Sequence, residues 1–332
     1  MKNYFRLSMI AFALASMLFV SCGKDDEDDD DTNVDNKFGT LKTYMVDNSL
    51  DVSNMMNAWV KTAEAVYNAN TDADATNDLY VIDLRSAADF GAGHIENSVN
   101  STVADILTTA ANAGGKDIVV VCYTGQTASF ANAILRLNGY PTAAIMKWGM
   151  SGWNATKDSW TANIGDVTTA DNWVAAPGSP AANIAYGDPT VTSEKTTGAE
   201  ILAEKVAAVH AAGYDPLKTT KTEVLGNYAN YFVLNYWTDA IMVKYGHIKG
   251  AYRINPLTLA GDEYKNLPND GKTITVYCWT GQTSSYLATY LKVLGYNTKT
   301  IMFGANGMIH SQLQENKWDV ATQAKSYPLV SK

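Results

Sequence analysis

VVVCYTGQTASF, residues 119–130, decides the fold, because it returns as TVYCWTGQTSSY at residues 275–286. The offset is 156, which is 278 minus 122. Gly139-Tyr140 recurs as Gly295-Tyr296, and Ile145-Met146 as Ile301-Met302, at the same offset. Upstream, Gly93-His94-Ile95 recurs as Gly246-His247-Ile248 at an offset of 153, which is 247 minus 94. The difference of three residues places a change of loop length between the histidine and the cysteine. Self-similarity at this period means one domain present twice.

Each copy carries the same alternation. An apolar run of strand length comes first (Leu79 to Leu84; Tyr231 to Leu234), and a polar segment leads from it to the Gly-His-Ile turn. A second β-rich run (Asp117 to Val121; Thr273 to Tyr277) ends at the cysteine. A segment of helical period follows, with Phe130, Ile134 and Leu137 in one copy and Tyr286, Tyr290 and Val293 in the other. Gly139 and Gly295 then stand where a helix takes a left-handed cap. Short buried strands alternating with helices predict an α/β fold with a parallel sheet covered on both faces. The expected organisation is a leader over 1–21, a tether over 22–37, domains over 38–176 and 191–332, and a linker over 177–190 marked by Pro177-Gly178-Ser179-Pro180.

In both copies the cysteine ends a strand, and open α/β sheets bind ligands at that edge. Tyr123-Thr124-Gly125-Gln126-Thr127 and Trp279-Thr280-Gly281-Gln282-Thr283 can curl so that backbone N–H groups converge on the sulfur of Cys122 or Cys278. Gly125 and Gly281 permit the tight turn, and Thr127 and Thr283 are placed to cap the helix. Amide donors and a helix N-terminus favour an anion, so the thiol is expected to ionise below the ~8.5 of free cysteine. Such a thiolate can attack sulfur, and the cradle can hold the persulfide that forms. The competing reading is a small buried cysteine finishing an apolar strand. Two copies followed by the same Thr-Gly-Gln-Thr weigh against it.

The net charge of -9 is mostly local. Seven acidic residues fill positions 25–31, which leaves -2 for the rest of the chain. No basic stripe offers a nucleic acid its footprint. Three cysteines are too few for a disulfide-stapled secreted fold. Lys2 and Arg6 precede an apolar stretch, Leu7 to Val20, that is shorter than the ~18–20 residues of a membrane span, as in a signal peptide. Leu18-Phe19-Val20-Ser21-Cys22-Gly23 resembles the lipobox at which bacterial lipoproteins are cleaved and acylated, which would make Cys22 the lipidation site; the competing reading is an ordinary secretory leader cut nearby, with Cys22 incidental. The acidic run beyond it would be an extended tether, and it resembles the surface-export signal of lipoproteins in the Bacteroidetes. An outer-membrane lipoprotein of the bacterial envelope, held to the membrane only by its lipid and leaning outward, is the expectation.

Val81-Ile82-Asp83-Leu84-Arg85, Asp89-Phe90 and Gly93-His94-Ile95 occur in order before Cys122 to Thr127, Gly139-Tyr140 and Gly149-Met150-Ser151-Gly152-Trp153. In that combination the chain resembles the rhodanese (sulfurtransferase) family over nearly all of its length beyond the tether. The resemblance implies a parallel five-stranded sheet flanked by helices in each copy. It also implies transfer of sulfane sulfur from thiosulfate or another donor, through a cysteine persulfide, to cyanide or a thiol. Small sulfur compounds would be the partners, with a protein acceptor unspecified and no cofactor or metal.

Two departures qualify the expectation. Many active rhodaneses end the cysteine loop in arginine, where this chain has Thr127 and Thr283, so a bidentate anion clamp is missing. Asp83 and Arg85 become Asn235 and Trp237 in the second copy. Joint loss is what a buried ion pair requires, so both residues read as scaffolding. His94 and His247 could form Cys–His dyads, but a structural role in the Gly-His-Ile turn is favoured. Tyr123 and Trp279 are open to a pocket-wall or a core role. The leading function is a sulfurtransferase with Cys122 and Cys278 as nucleophiles. The alternative is a non-catalytic binding module, and phosphatase chemistry is disfavoured because related phosphatases need a longer loop closed by arginine.

Overall fold

The computed structural model describes residues 36–331. The expected leader, the lipidation site Cys22 and the acidic run of the tether lie outside the described residues.

Five strands of the first copy, β1 (Val60–Lys61), β2 (Tyr80–Asp83), β3 (Val99–Asn100), β4 (Ile118–Val121) and β5 (Ala144–Met146), form a parallel sheet. Its order is β1-β5-β4-β2-β3, with the cysteine strand β4 at the centre. Every residue of β4 is buried, which is why its sequence is an unbroken Ile-Val-Val-Val rather than an alternation. The next strand, β6 (Trp173–Val174), belongs to neither large sheet. The second copy supplies β7 (Lys218–Thr219), β8 (Phe232–Asn235), β9 (His247–Ile248), β10 (Tyr252–Arg253), β11 (Ile274–Tyr277) and β12 (Thr298–Ile301). Five of these repeat the architecture in the order β10-β8-β11-β12-β7, again parallel, and β9 pairs instead with β6.

The register corrects one feature of the repeat. Val119 pairs with Ala144, while its counterpart Thr275 pairs with Lys299. Ile145-Met146 therefore corresponds to Thr300-Ile301 at an offset of 155, not to Ile301-Met302 at 156. The turn that follows Gly295 is one residue shorter than the one that follows Gly139, and strand pairing rather than residue identity sets the alignment.

Four longer helices matter for the site: α1 (Phe38–Asp47), α2 (Gln126–Leu137), α3 (Gly198–Ala212) and α4 (Gln282–Val293). Gly139 and Gly295 follow α2 and α4 with φ of 88° and 95°, the left-handed conformation expected of them. The expected apolar stripe is buried, but so is almost everything else on these helices. Ala128, Ser129, Asn132 and Ala133 lie off the Phe130-Ile134-Leu137 stripe and are nonetheless fully buried. The cause is that α2 and α4 pack directly against each other, so each helix has its own sheet on one side and the other copy on the other.

One hydrophobic cluster consequently runs through both copies, from Phe38, Ile82 and Phe130 to Phe232, Tyr264 and Tyr290. The copies also exchange chain. Phe38 of α1 packs on Tyr264 at 5.2 Å, and the Lys37 amide donates to the Val191 carbonyl. The Gly165 and Val167 amides donate to the carbonyls of Asn306 and Met308. In return the C-terminal segment comes back to the first copy, where Val330 and His94 exchange backbone hydrogen bonds and Tyr327 stacks on Tyr67 at 4.2 Å. Residues 177–190 are extended and tied to the second copy through Ala181 to Ala251 and Tyr186 to Lys265.

Candidate active site

Cys122 follows β4 and Cys278 follows β11, at the C-terminal edge of each sheet. Gly125 and Gly281 take φ of 87° and 75°, which turns the chain so that the helix starts at the next residue. The helix caps are therefore these glycines, whose carbonyls accept from Ser129 and Ser285. Thr127 and Thr283 stand one residue inside the helix and form no cap, contrary to the expectation. The reason is the left-handed glycine itself, which begins the helix two residues earlier than a threonine cap would.

The convergence on sulfur is present. In the first copy the Gly125 amide donates to Cys122 Sγ at 3.1 Å and the Ala128 amide at 3.4 Å. In the second, the Ser284 amide donates to Cys278 Sγ at 3.4 Å, and the thiol faces Ser284 Oγ at 3.6 Å. Both sulfurs belong to residues only 2% exposed. For Cys122 burial decides the acidity. It pushes the thiol pKa up, and the opposing pull of the Ala128, Thr124, Gly125 and Thr127 amides does not reverse it. The expectation of an easily ionised thiol is overturned at Cys122.

A turn from the end of the sheet closes each loop from outside. Met150 donates to the Cys122 carbonyl at 2.8 Å, and Ala305 to that of Cys278 at 2.9 Å. Only glycine fits before them. A Cβ on Gly149 would lie 2.4 Å from the Cys122 carbonyl oxygen, and one on Gly304 would lie 2.4 Å from that of Cys278. Ser151 then holds the Tyr123 carbonyl at 2.9 Å, as Asn306 holds that of Trp279 at 2.8 Å.

Neighbouring side chains divide into three groups. Asp83 and Arg85 form a fully buried pair at 2.7 Å, and Arg85 also donates to the Gly93 carbonyl. The pair thus braces the Gly-His-Ile turn. In the second copy Asn235 donates instead to the Tyr277 hydroxyl at 2.6 Å, which in turn accepts from the Ile248 amide. Tyr277 replaces Val121 and was missed in the sequence reading, although the aligned stretches display it directly as VVVC against TVYC. The histidines also face backbone: His94 bonds the Phe90 carbonyl and stacks on its ring at 3.8 Å, and His247 bonds Ile248 and Ser179. Neither makes a hydrogen bond with a cysteine among the described residues.

Tyr123 is 39% exposed, and its hydroxyl bridges the Ser86 amide and the Asp89 carboxylate. Hydrogen bonds from Ser86 and then Tyr123 lower the Asp89 pKa. Trp279 packs on Trp237 at 4.7 Å and on Tyr245 at 5.3 Å. It also lines a cavity of about 190 Å³ with Thr280, Gln282, Thr283 and, from the first copy, Lys147 and Trp59. Lys147 was missed as well. It forms no ion pair among the described residues, and burial lowers its pKa. Thr124 and Gln126 are buried within the first loop, where the Gln126 amide donates to Thr124 Oγ1 at 3.0 Å. No group of metal-ligating side chains occurs among the described residues.

Comparison with known proteins gives one family. The model described as "Rhodanese-like domain" matches residues 62–156 and 228–308. No curated protein matches the chain. Among solved structures, a rhodanese-related protein from Thermoplasma volcanium is similar at 22% identity and TM-score 0.24, covering 27% of this chain and 85% of that one. A rhodanese-like domain protein from Staphylococcus aureus is similar at 18% identity and TM-score 0.25, covering 27% and 86%. A thiosulfate sulfurtransferase from Pseudomonas aeruginosa is similar at 16% identity and TM-score 0.28, covering 91% of this chain and 49% of that one.

Proposed function

The chain belongs to the rhodanese-like domain family, whose domain it carries twice, and on that premise we propose that it transfers sulfane sulfur with Cys122 as the main carrier. The observation that supports this reading is the pair of amides, Gly125 and Ala128, directed at Cys122 Sγ. Cys278 has one amide and a hydroxyl in their place, and it is the lesser site.

With thiosulfate as donor, the Cys122 sulfur attacks the outer sulfur. One S–S bond forms, the S–S bond of the donor breaks, and sulfite leaves with the bonding pair. The thiol proton passes to water or to the new persulfide. A persulfide is more acidic than a thiol, so the resting state is neutral in its buried place and charge appears only once sulfur is loaded. The loop amides then face an anion, where their hydrogen bonds are strongest. Cyanide or a thiol takes the outer sulfur and returns the electron pair to Cys122. The loop has no arginine, so a polysulfide or persulfide donor suits it better than thiosulfate, a dianion.

A second reading, a non-catalytic module that binds a partner at the envelope, is favoured by the burial of both cysteines. Placement as a lipid-anchored protein of the bacterial outer membrane, attached through Cys22, is part of the proposal. Thiocyanate production from cyanide and polysulfide tests the first reading. It is expected from the purified protein, lowered most in Cys122→Ser, less in Cys278→Ser, and to background only when both are replaced. Background rates with polysulfide, thiosulfate and a small persulfide alike would leave the binding module.

A further inference from the structure

The two cysteine loops are tied together by side chains that cross between the copies. Gln282, the first residue of α4, donates through Nε2 to the Thr124 carbonyl of the first loop at 2.9 Å. Gln126, the first residue of α2, accepts through Oε1 from the Phe303 amide at 2.7 Å, in the turn that closes on the second loop. Gln126 is fully buried and Gln282 is 4% exposed. The loop glycines make room for this exchange. A Cβ on Gly125 would lie 2.2 Å from Gln282 Nε2, and one on Gly281 would lie 2.3 Å from Gln126 Oε1.

The contact made by Gln282 has a specific consequence. The Thr124 carbonyl and the Gly125 N–H are the two ends of one planar peptide unit, and they cannot rotate independently. Holding the carbonyl therefore aims the N–H, and that N–H is the closer of the two donors to Cys122 Sγ, at 3.1 Å. A hydrogen bond accepted at the oxygen also polarises the peptide, which strengthens its N–H as a donor. The arrangement is not symmetric. Gln126 reaches the closing turn rather than a loop carbonyl, which agrees with the poorer set of donors at Cys278.

We propose that Gln282 of the second copy is a positioning residue for Cys122 of the first, so that the first sulfur site is incomplete without its duplicate. The second copy then has a use that does not depend on chemistry at Cys278. The inference rests on the reading of Cys122 as the working sulfur, but its test requires no sulfur donor, so the two can fail separately.

The test is the pH profile of alkylation, followed separately at Cys122 and Cys278 by peptide mass in the full chain. The midpoint of the profile reports thiol acidity, whereas the rate also reports how readily reagent enters. Gln282→Met keeps the bulk and removes the donor, and Gln282→Ala removes both. In both variants the Cys122 midpoint is expected to rise by about one pH unit, the scale of one hydrogen bond to a charged group, with Cys278 unmoved. An unchanged Cys122 midpoint would overturn the proposal, as would an equal shift at Cys278, which marks damage to α4 itself. Should neither variant fold, the Gly125 amide of the unmodified protein decides: slow exchange with solvent hydrogen supports the clamp and fast exchange overturns it.

Discussion

At Cys122 two opposing forces act on one sulfur. Amides and a helix start favour the thiolate, while full burial favours the thiol, and burial prevails. The sequence displays the donors through Gly125 and the Thr-Gly-Gln-Thr run, but burial depends on what covers the loop, and that cover joins the Gly149–Ser151 turn of the same copy with Gln282 of the other. The alkylation midpoint of Cys122 is accordingly expected above the ~8.5 of a free thiol. The sign of the linked stability follows. A thiol with a raised pKa in the fold contributes stability that is whole below ~8.5 and is lost as pH rises from there through the folded value. Unfolding by urea between neutral and alkaline pH is expected to show that loss in the native chain and less of it in Cys122→Ala.

Among the elements, the central strands carry the part of the fold most legible in the sequence. The runs ending at Val121 and Tyr277 are buried on both faces and largely apolar, and Gly139 and Gly295 stop the helices that follow. The Asp83–Arg85 brace was legible too, because both charges vanish together in the second copy. What filled their place was not, because Tyr277 sits on the adjacent strand and meets Asn235 only through the pairing of β8 with β11. Arg85→Ala is expected to cost about 3–5 kcal/mol in urea unfolding by leaving a buried carboxylate alone. Combining Asp83→Asn, Arg85→Trp and Val121→Tyr, which copies the second solution into the first sheet, is expected to recover most of that loss. No recovery would mean that the two braces are not equivalent.

For the molecule as a whole, the duplication was plain and the way the copies join was not. The helices α2 and α4, which pack on each other, bury Ser, Thr, Ala and Asn, residue types that read as helix surface until something covers them. Lys147 escaped notice, and Gln282 was singled out only for its own loop, for the same reason: each bonds to the copy to which it does not belong. Joining is reinforced at Asp51, a buried carboxylate that accepts from Val52 at 2.7 Å, Leu259 at 2.9 Å and Ala260 at 3.0 Å. With one hydrophobic cluster shared by both copies and such a clamp, both copies are expected to unfold in a single transition. Asp51→Ala is expected to lower stability by at least ~2 kcal/mol, the scale of hydrogen bonds to a charged group. Separate transitions seen by probes in the two sheets would show two independent domains. The function of the molecule turns on where sulfur is carried. Intact and peptide masses of the protein after exposure to a persulfide donor read this directly: one added sulfur on Cys122, removed by cyanide, is expected, with a smaller fraction on Cys278. A Cys122 peptide that gains no sulfur from any donor, in a protein that remains folded, would contradict it.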